Sequence, residues 1–227
     1  MTIRVLYNYL LVRLGLRQIL PAEIVNRKKV RECGDKMTGA DCDNIVFADG
    51  ALNYARSEVI TRLCSTAKLL NERAGLKLLI YELYRSPENQ EKLRNRDREE
   101  IVQAHPEYSE AQILAALNRI SAGVGGSGHQ TGGAVDLTIC EADGTALDMG
   151  TGYLEHNEKT QTACKEINEE QRRNRHLLLQ VMREVGFVNY PGEWWHFCYG
   201  DKMWAAYSRK PYAIYGDAAI IPSEKQV

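Results

Sequence analysis

Two short stretches of the chain bring together side chains that could do chemistry. They are Ser127-Gly-His129-Gln-Thr-Gly132-Gly-Ala134-Val-Asp136 and, about sixty residues on, Glu193-Trp-Trp-His196. His129, Asp136 and His196 supply two neutral imidazoles and one carboxylate, donor types that suit zinc and leave its Lewis acidity intact. Zinc that does chemistry takes three protein ligands and keeps a fourth position for water. The expectation is therefore a hydrolytic zinc on His129, Asp136 and His196, with Glu193 as the base that takes the proton of the water.

The spacing has physical reasons. In a straight strand, side chains seven positions apart point to opposite faces, so His129 and Asp136 converge only if the chain bends between them. Gly132 and Gly133 permit such a bend or a close backbone approach, and Ala134 leaves room for neighbouring chain. Glu193 lies three residues from a ligand, so the metal would fix where its carboxylate reaches. Trp194 and Trp195 either keep water from the site or fill the core. Taken singly, each part has an ordinary explanation: a lone histidine as a satisfied core or surface residue, a glycine-rich turn into a strand, tryptophans as core. The two stretches in this order and at this separation are far more specific than either alone.

The elements that must position these groups can be read from periodicity. Leu52, Ala55, Val59, Leu63, Ala67 and Leu70 recur at helical spacing, with Gly75 as the stop. Residues 76–81 form a short apolar run suited to a buried strand, which delivers Tyr84-Arg85 to its end. Pro87 starts a highly charged, solvent-facing helix. Ser109-Glu-Ala-Gln112 has the form of a capping box and opens another helix through Ile113, Leu117 and Ile120. Residues 121–128 are glycine-rich, but no Lys-Ser/Thr follows and the segment runs into a strand, so a phosphate cradle is rejected. Residues 134–139 read as that strand, followed by a turn at Asp143-Gly144. A helix spans about residues 169–185, with Gly186 as its stop. Residues 187–190 and 194–199 read as a final hairpin carrying Glu193 and His196. Residues 21–50 show no regular pattern. The sum is an α+β fold, a small, mainly antiparallel sheet with helices packed around it. Residues 1–50 form a helix and irregular lead-in packed on the domain of residues 51–227.

Composition narrows the classes. A net charge of −1, from 29 basic against 30 acidic residues, recommends neither nucleic acid nor an anionic membrane as partner. Cys33, Cys42, Cys64, Cys140, Cys164 and Cys198 contain no CxxC pair and read as mostly reduced thiols of a cytoplasmic protein. Cys198, two residues past His196, is read as a buried strand residue in preference to an extra ligand. Residues 1–20 are apolar, but Arg4, Arg13 and Arg17 interrupt them, so neither a signal sequence nor a stable membrane insertion is expected. An amphipathic helix packed on the domain is expected instead, with attachment to a membrane surface as the lesser alternative. The aromatic residues Trp204, Tyr207, Tyr212 and Tyr215 are enough to dock the tail.

Over roughly residues 76–199 the chain resembles the M15 zinc peptidases, the group of D-Ala-D-Ala dipeptidases and D,D-carboxypeptidases that includes vancomycin-resistance enzymes. The strand ending in Tyr84-Arg85, SxHxxGxAxD and ExxH carry the resemblance. Leu79 to Arg85, Asp136-Leu137-Thr138 and Asp148-Met149-Gly150-Thr151 point to the dipeptidase branch. The resemblance implies zinc on His129, Asp136 and His196, Glu193 as general base, Arg85 stabilising the oxyanion and Ser127 holding a small peptide substrate that ends in D-Ala. In two places the chain departs from the branch. A leucine, Leu154, stands where dipeptidases place an aspartate for the substrate's amino group, with Glu155 one residue on and expected to take that role. No convincing Asn-Phe-x-Gly segment occurs upstream. The alternatives are a D,D-carboxypeptidase acting on stem peptides and a non-catalytic zinc-containing binding domain. The oligomeric state is open.

Overall fold

A computed structural model describes residues 1–123, 125–155 and 157–218. In chain order the elements are α1 (Ile3–Arg13), α2 (Ala22–Asn26), β1 (Lys29–Val30), β2 (Met37–Gly39), β3 (Ile45–Phe47), β4 (Tyr54–Arg56), α3 (Ser57–Ala74), β5 (Lys77–Glu82), α4 (Pro87–Ala104), α5 (Glu110–Ile120), β6 (Ala134–Cys140), α6 (Glu169–Glu184), β7 (Val188–Asn189), β8 (His196–Cys198), α7 (Lys202–Tyr207) and β9 (Tyr212–Ala213).

The central sheet has the order β3-β5-β6-β8-β7. Only β3 and β5 run parallel; the other neighbours are antiparallel, as expected for an α+β fold. Alternation along the strands divides the residues between two faces. Leu78 and Ile80 of β5, Val135, Leu137 and Ile139 of β6 and Phe197 of β8 enter the main core. There they meet Val59, Leu63 and Leu70 of α3 and Leu178, Val181 and Met182 of α6. The register of β6 against β8 pairs Asp136 with His196, on the face opposite these apolar residues. A register irregularity between Ile80 and Glu82 brings Glu82 opposite Asp136. Such bulges re-aim side chains next to sites.

Several local signals have the expected outcome. Gly75 ends α3 at φ 69°, and Ser86 caps α4 by accepting a hydrogen bond from Asn89 N–H. The capping box of Ser109 and Gln112 opens α5, and another, of Asn168 and Gln171, opens α6.

Other expectations are corrected. The helix expected from Leu52 starts only at Ser57, because Tyr54–Arg56 pairs as a strand with Met37–Gly39. Arg56 anchors that extended segment: its guanidinium is buried and donates to the carbonyls of Thr131 (2.8 Å) and Gly216 (3.0 Å) and to Glu32. Residues 21–50, read as irregular, contain a short helix and three short strands, of which β3 belongs to the central sheet. Helix α1 leaves its apolar side largely uncovered: Val5 is buried, whereas Ile3, Leu6, Tyr7 and Leu10 are exposed. The α4 helix is not uniformly solvent-facing, since Gln90 and Asp97 are buried. Among the cysteines, Cys42 and Cys64 form a disulfide that ties the segment before β3 to α3; the other four are free. Nothing in their separation of 22 residues signals the pair, because only folding brings a loop and a helix side by side. The tail docks as expected, with β9 pairing parallel to β1 and Tyr215 buried under a hydrogen bond to Asp35 (2.8 Å).

Candidate active site

His129 sits in a single 3-10 turn, Gly128–Thr131, that leads into β6. Ser127 caps this turn, its Oγ accepting from His129 N–H at 3.3 Å. Gly132 ends the turn at φ 69°, a conformation that glycine adopts without steric cost. A Cβ on Gly133 would lie 2.6 Å from the carbonyl oxygen of Tyr199, so only glycine lets the chain pass there. These two glycines make the bend that turns His129 and Asp136 to the same side.

His129, Asp136 and His196 are all buried, and one ligand atom from each lies within 4.8 Å of the others. His129 Nδ1 donates to the Leu83 carbonyl at 2.6 Å, which leaves the Nε2 lone pair directed inward. That Nε2 is buried and makes no hydrogen bond; its nearest polar contact is Asp136 Oδ1 at 3.4 Å. His196 Nδ1 meets the same Oδ1 at 2.8 Å. The second oxygen, Asp136 Oδ2, accepts from the Tyr153 hydroxyl at 3.1 Å. An imidazole fixed by a backbone carbonyl, with its other nitrogen free beside a shared carboxylate oxygen, is what a divalent metal requires of its ligands. The residues fit zinc.

The electrostatics agree. Burial disfavours charge on Asp136, yet the two imidazoles outweigh it and hold the carboxyl well below the usual range. Burial likewise opposes charge on His196, but the hydrogen bond and charge of Asp136 push its pKa up to about 9. Glu193 lies on the turn before β8, and burial raises its pKa to about 7, with His196 and Arg85 acting against the rise. A carboxylate so tuned can take and return a proton near neutrality. Arg85 is buried and clamped: Nε donates to Glu82 Oε1 at 2.7 Å, Nη1 donates to Gln90 Oε1 at 2.9 Å, and Nη2 pairs with Glu82 Oε2.

Arg85, Ser127, His129, Asp136, Glu193 and His196 all line one cavity of about 530 Å³. Leu154 lines it too, at φ 62°, whereas Glu155 is exposed and accepts from Asn157 Nδ2 at 3.4 Å. The structure thus brings six of the seven expected site residues together and leaves Glu155 outside. Cys198 is buried in β8, its Sγ against the Val188 carbonyl, and does not join the cluster.

Sequence reasoning did not pick out Glu82, Gln90, Tyr153 or Arg175 as supports of the site. Tyr153 stacks on Tyr81 (4.3 Å between ring centres) and meets the edge of Trp195, which fixes its hydroxyl toward Asp136. The loop that carries Tyr153 is tied to α6 by Arg175, which donates to the carbonyls of Met149 (2.6 Å) and Gln161 (2.8 Å). Trp194 Nε1 adds a bond to Thr151 Oγ1 at 2.8 Å. A glutamate three residues before Arg85 was the one available signal.

Comparison with known proteins is consistent with this geometry. The family described as D-ala-D-ala dipeptidase, peptidase M15, matches residues 32–214. Over 165 residues the chain is 30% identical to the D-alanyl-D-alanine dipeptidase of Escherichia coli (strain K12), which covers 73% of this chain and 74% of that one. It is 35% identical over 88 residues to the D-alanyl-D-alanine dipeptidase of Synechocystis sp., covering 34% of this chain and 36% of that one. Among solved structures, a VanY D,D-pentapeptidase variant in complex with Zn(II) matches with a TM-score of 0.46 at 18% identity, over 77% of this chain and 88% of that one. The chain belongs to the M15 peptidase family and is a metallopeptidase.

Proposed function

We propose that the chain hydrolyses the peptide bond of D-Ala-D-Ala, with His129, Asp136 and His196 holding a zinc ion. The observation that carries this reading is the half-buried Glu193 beside the convergent cluster, in a cavity that Arg85 also enters. When bound, zinc supplies Lewis acidity and lowers the pKa of water to about 7. Glu193 takes a proton from the attacking water on its carboxylate and returns it to the leaving amine. Arg85, held by Glu82 and Gln90, presents its guanidinium to the negative charge that develops on the carbonyl oxygen. Ser127 helps hold the substrate, and Tyr190, Trp195 and Leu154 wall it from water.

A D,D-carboxypeptidase is the second reading, favoured by one observation: Leu154, which lines the cavity, carries no charge for the amino group of a dipeptide. Burying an ammonium without an anion is costly. A non-catalytic binding domain has no observation in its favour, because a purely structural metal gains nothing from Glu193.

The proposed compartment is the cytoplasm. Among the described residues no helix is long and apolar enough to cross a membrane. The Cys42–Cys64 bond is the observation against that placement, since cytosolic thiols are kept reduced. The deciding experiment incubates zinc-loaded protein with D-Ala-D-Ala and with an N-acylated peptide ending in D-Ala-D-Ala, and assays D-alanine released from each. Release from the free dipeptide is expected. Release from the acylated peptide alone would establish the carboxypeptidase.

A further inference from the structure

The cavity does not end at the metal ligands. It continues to a second wall formed by α4, α5 and the segment after α5, with Leu93, Asp97, Asn118 and Ser121 on its surface. That wall is held firmly: Arg94 Nη1 donates to the Ser121 carbonyl at 2.6 Å, and Gln90 Nε2 donates to the Ala122 carbonyl at 2.8 Å.

Two groups on this wall are out of keeping with a purely structural role. Asp97 is 2% exposed although it lies on the most charged helix of the chain. Removing a carboxylate from water costs several kcal/mol unless a partner compensates it. Its ion pair is with Arg96 Nη2, 3.1 Å from Oδ1, but the Arg96 side chain is half exposed and also faces Glu100 at 3.6 Å. An exposed guanidinium shared in this way compensates little. Ser121 Oγ is the second group: it is buried and has no hydrogen-bond partner among the described residues. A carboxylate and a hydroxyl acceptor, both desolvated and carried by residues that line one cavity, have the chemistry that an ammonium group satisfies.

The other carboxylates around the cavity are committed or open to solvent. Asp136 belongs to the imidazoles, Glu193 is the base, Glu82 grips Arg85, and Glu23 is exposed.

We propose that Asp97 and Ser121 form a subsite for an alkylammonium group of the peptide substrate. This rests on the peptidase reading above and deepens it by naming what sets substrate choice. The ammonium has two possible sources, the α-amino group of a dipeptide or the basic side chain of a residue preceding D-Ala-D-Ala.

The test uses two substrate pairs with the zinc-loaded full chain: D-Ala-D-Ala against its N-acetyl form, and Nα-acetyl-Lys-D-Ala-D-Ala against its Nε-acetylated form. The readout is the ratio of kcat/KM within each pair, so the member without the ammonium is an internal control. The unmodified protein prefers the ammonium-bearing member of one pair, and the pair concerned identifies the source. Asp97→Asn lowers that preference by about tenfold or more, and Ser121→Ala lowers it less. Should Asp97→Asn fail to fold, Ser121→Ala, which removes only an unpartnered hydroxyl, carries the same readout. Loss of activity on both members alike, or a preference unchanged in the variants, overturns the subsite. If none of the four peptides is cleaved, the peptidase reading itself fails and takes the subsite with it.

Discussion

Asp136 divides its two oxygens between two tasks. Oδ1 faces both imidazoles, while Oδ2 is engaged by the Tyr153 hydroxyl, and the phenol is itself immobilised by Tyr81 and Trp195. As the proposed ligand, Asp136 would have its metal-facing oxygen chosen before a metal arrives. Glu193 is tuned differently, by burial. As a carboxyl raised to about 7, it is a competent base above that pH and is protonated below it. The kcat/KM profile is therefore expected to fall on the acid side at about 7 or lower, since a cation bound beside Glu193 favours its charged form. Glu193→Gln should bind zinc and keep the fold while losing turnover, because an amide cannot accept the proton. Metal content, circular dichroism and the pH profile check this together; near-normal hydrolysis by the variant would remove Glu193 from the mechanism.

Among the elements, α6 does more than cover the sheet. Gln171 donates to Asp148 Oδ2 at 2.7 Å, Asn174 donates to the Asp148 carbonyl at 2.9 Å, and Arg175 reaches Met149 and Gln161. The loop with Tyr153 and Leu154 thereby takes its shape from a helix that does not line the cavity. Arg175 is buried, and burial lowers its pKa to about 10. Arg175→Ala leaves the buried Met149 carbonyl without its donor, at about 1–3 kcal/mol, and removes the tie to the exposed Gln161, whose carbonyl keeps the Cys164 N–H. The variant is expected to be destabilised by about 1–3 kcal/mol and to melt a few degrees lower, with a raised KM. Thermal unfolding and steady-state kinetics measure both. An unchanged melting temperature would show that the loop holds its shape without α6.

For the molecule as a whole, the metal is expected to be part of its stability. The three proposed ligands come from the turn before β6, from β6 and from β8, so a bound ion would tie segments about sixty residues apart. A ligand that binds only the folded state stabilises it by mass action. Chelation should lower the melting temperature, and added zinc should restore it with a stoichiometry of one per chain. The sign with pH follows from His196, whose pKa of about 9 without metal means that binding displaces a proton. Metal affinity should accordingly weaken as pH falls, which competition with a chromophoric chelator at several pH values will show. Equal melting with and without metal would contradict the site.

The convergence of His129, Asp136 and His196 and the proposed base Glu193 were legible in the sequence because donor types and local spacing are written in consecutive residues: glycines for a bend, alternation for strand faces, caps for helix starts. Periodicity placed β5, β6, α5 and α6 for the same reason. Other features depend on partners far away in the chain. Arg56 reaches Thr131 and Gly216 across 75 and 160 residues and turns an apparent helix start into a strand. Glu82 is re-aimed by an irregularity of pairing that no local pattern records. Glu155, one residue from the expected position, faces away because Leu154 adopts a left-handed backbone and takes the inward place. Cys42 and Cys64 meet only when a loop packs on α3. Local chemistry determined which groups could act; tertiary packing decided which of them face the cavity, because direction and burial depend on contacts between segments distant in sequence.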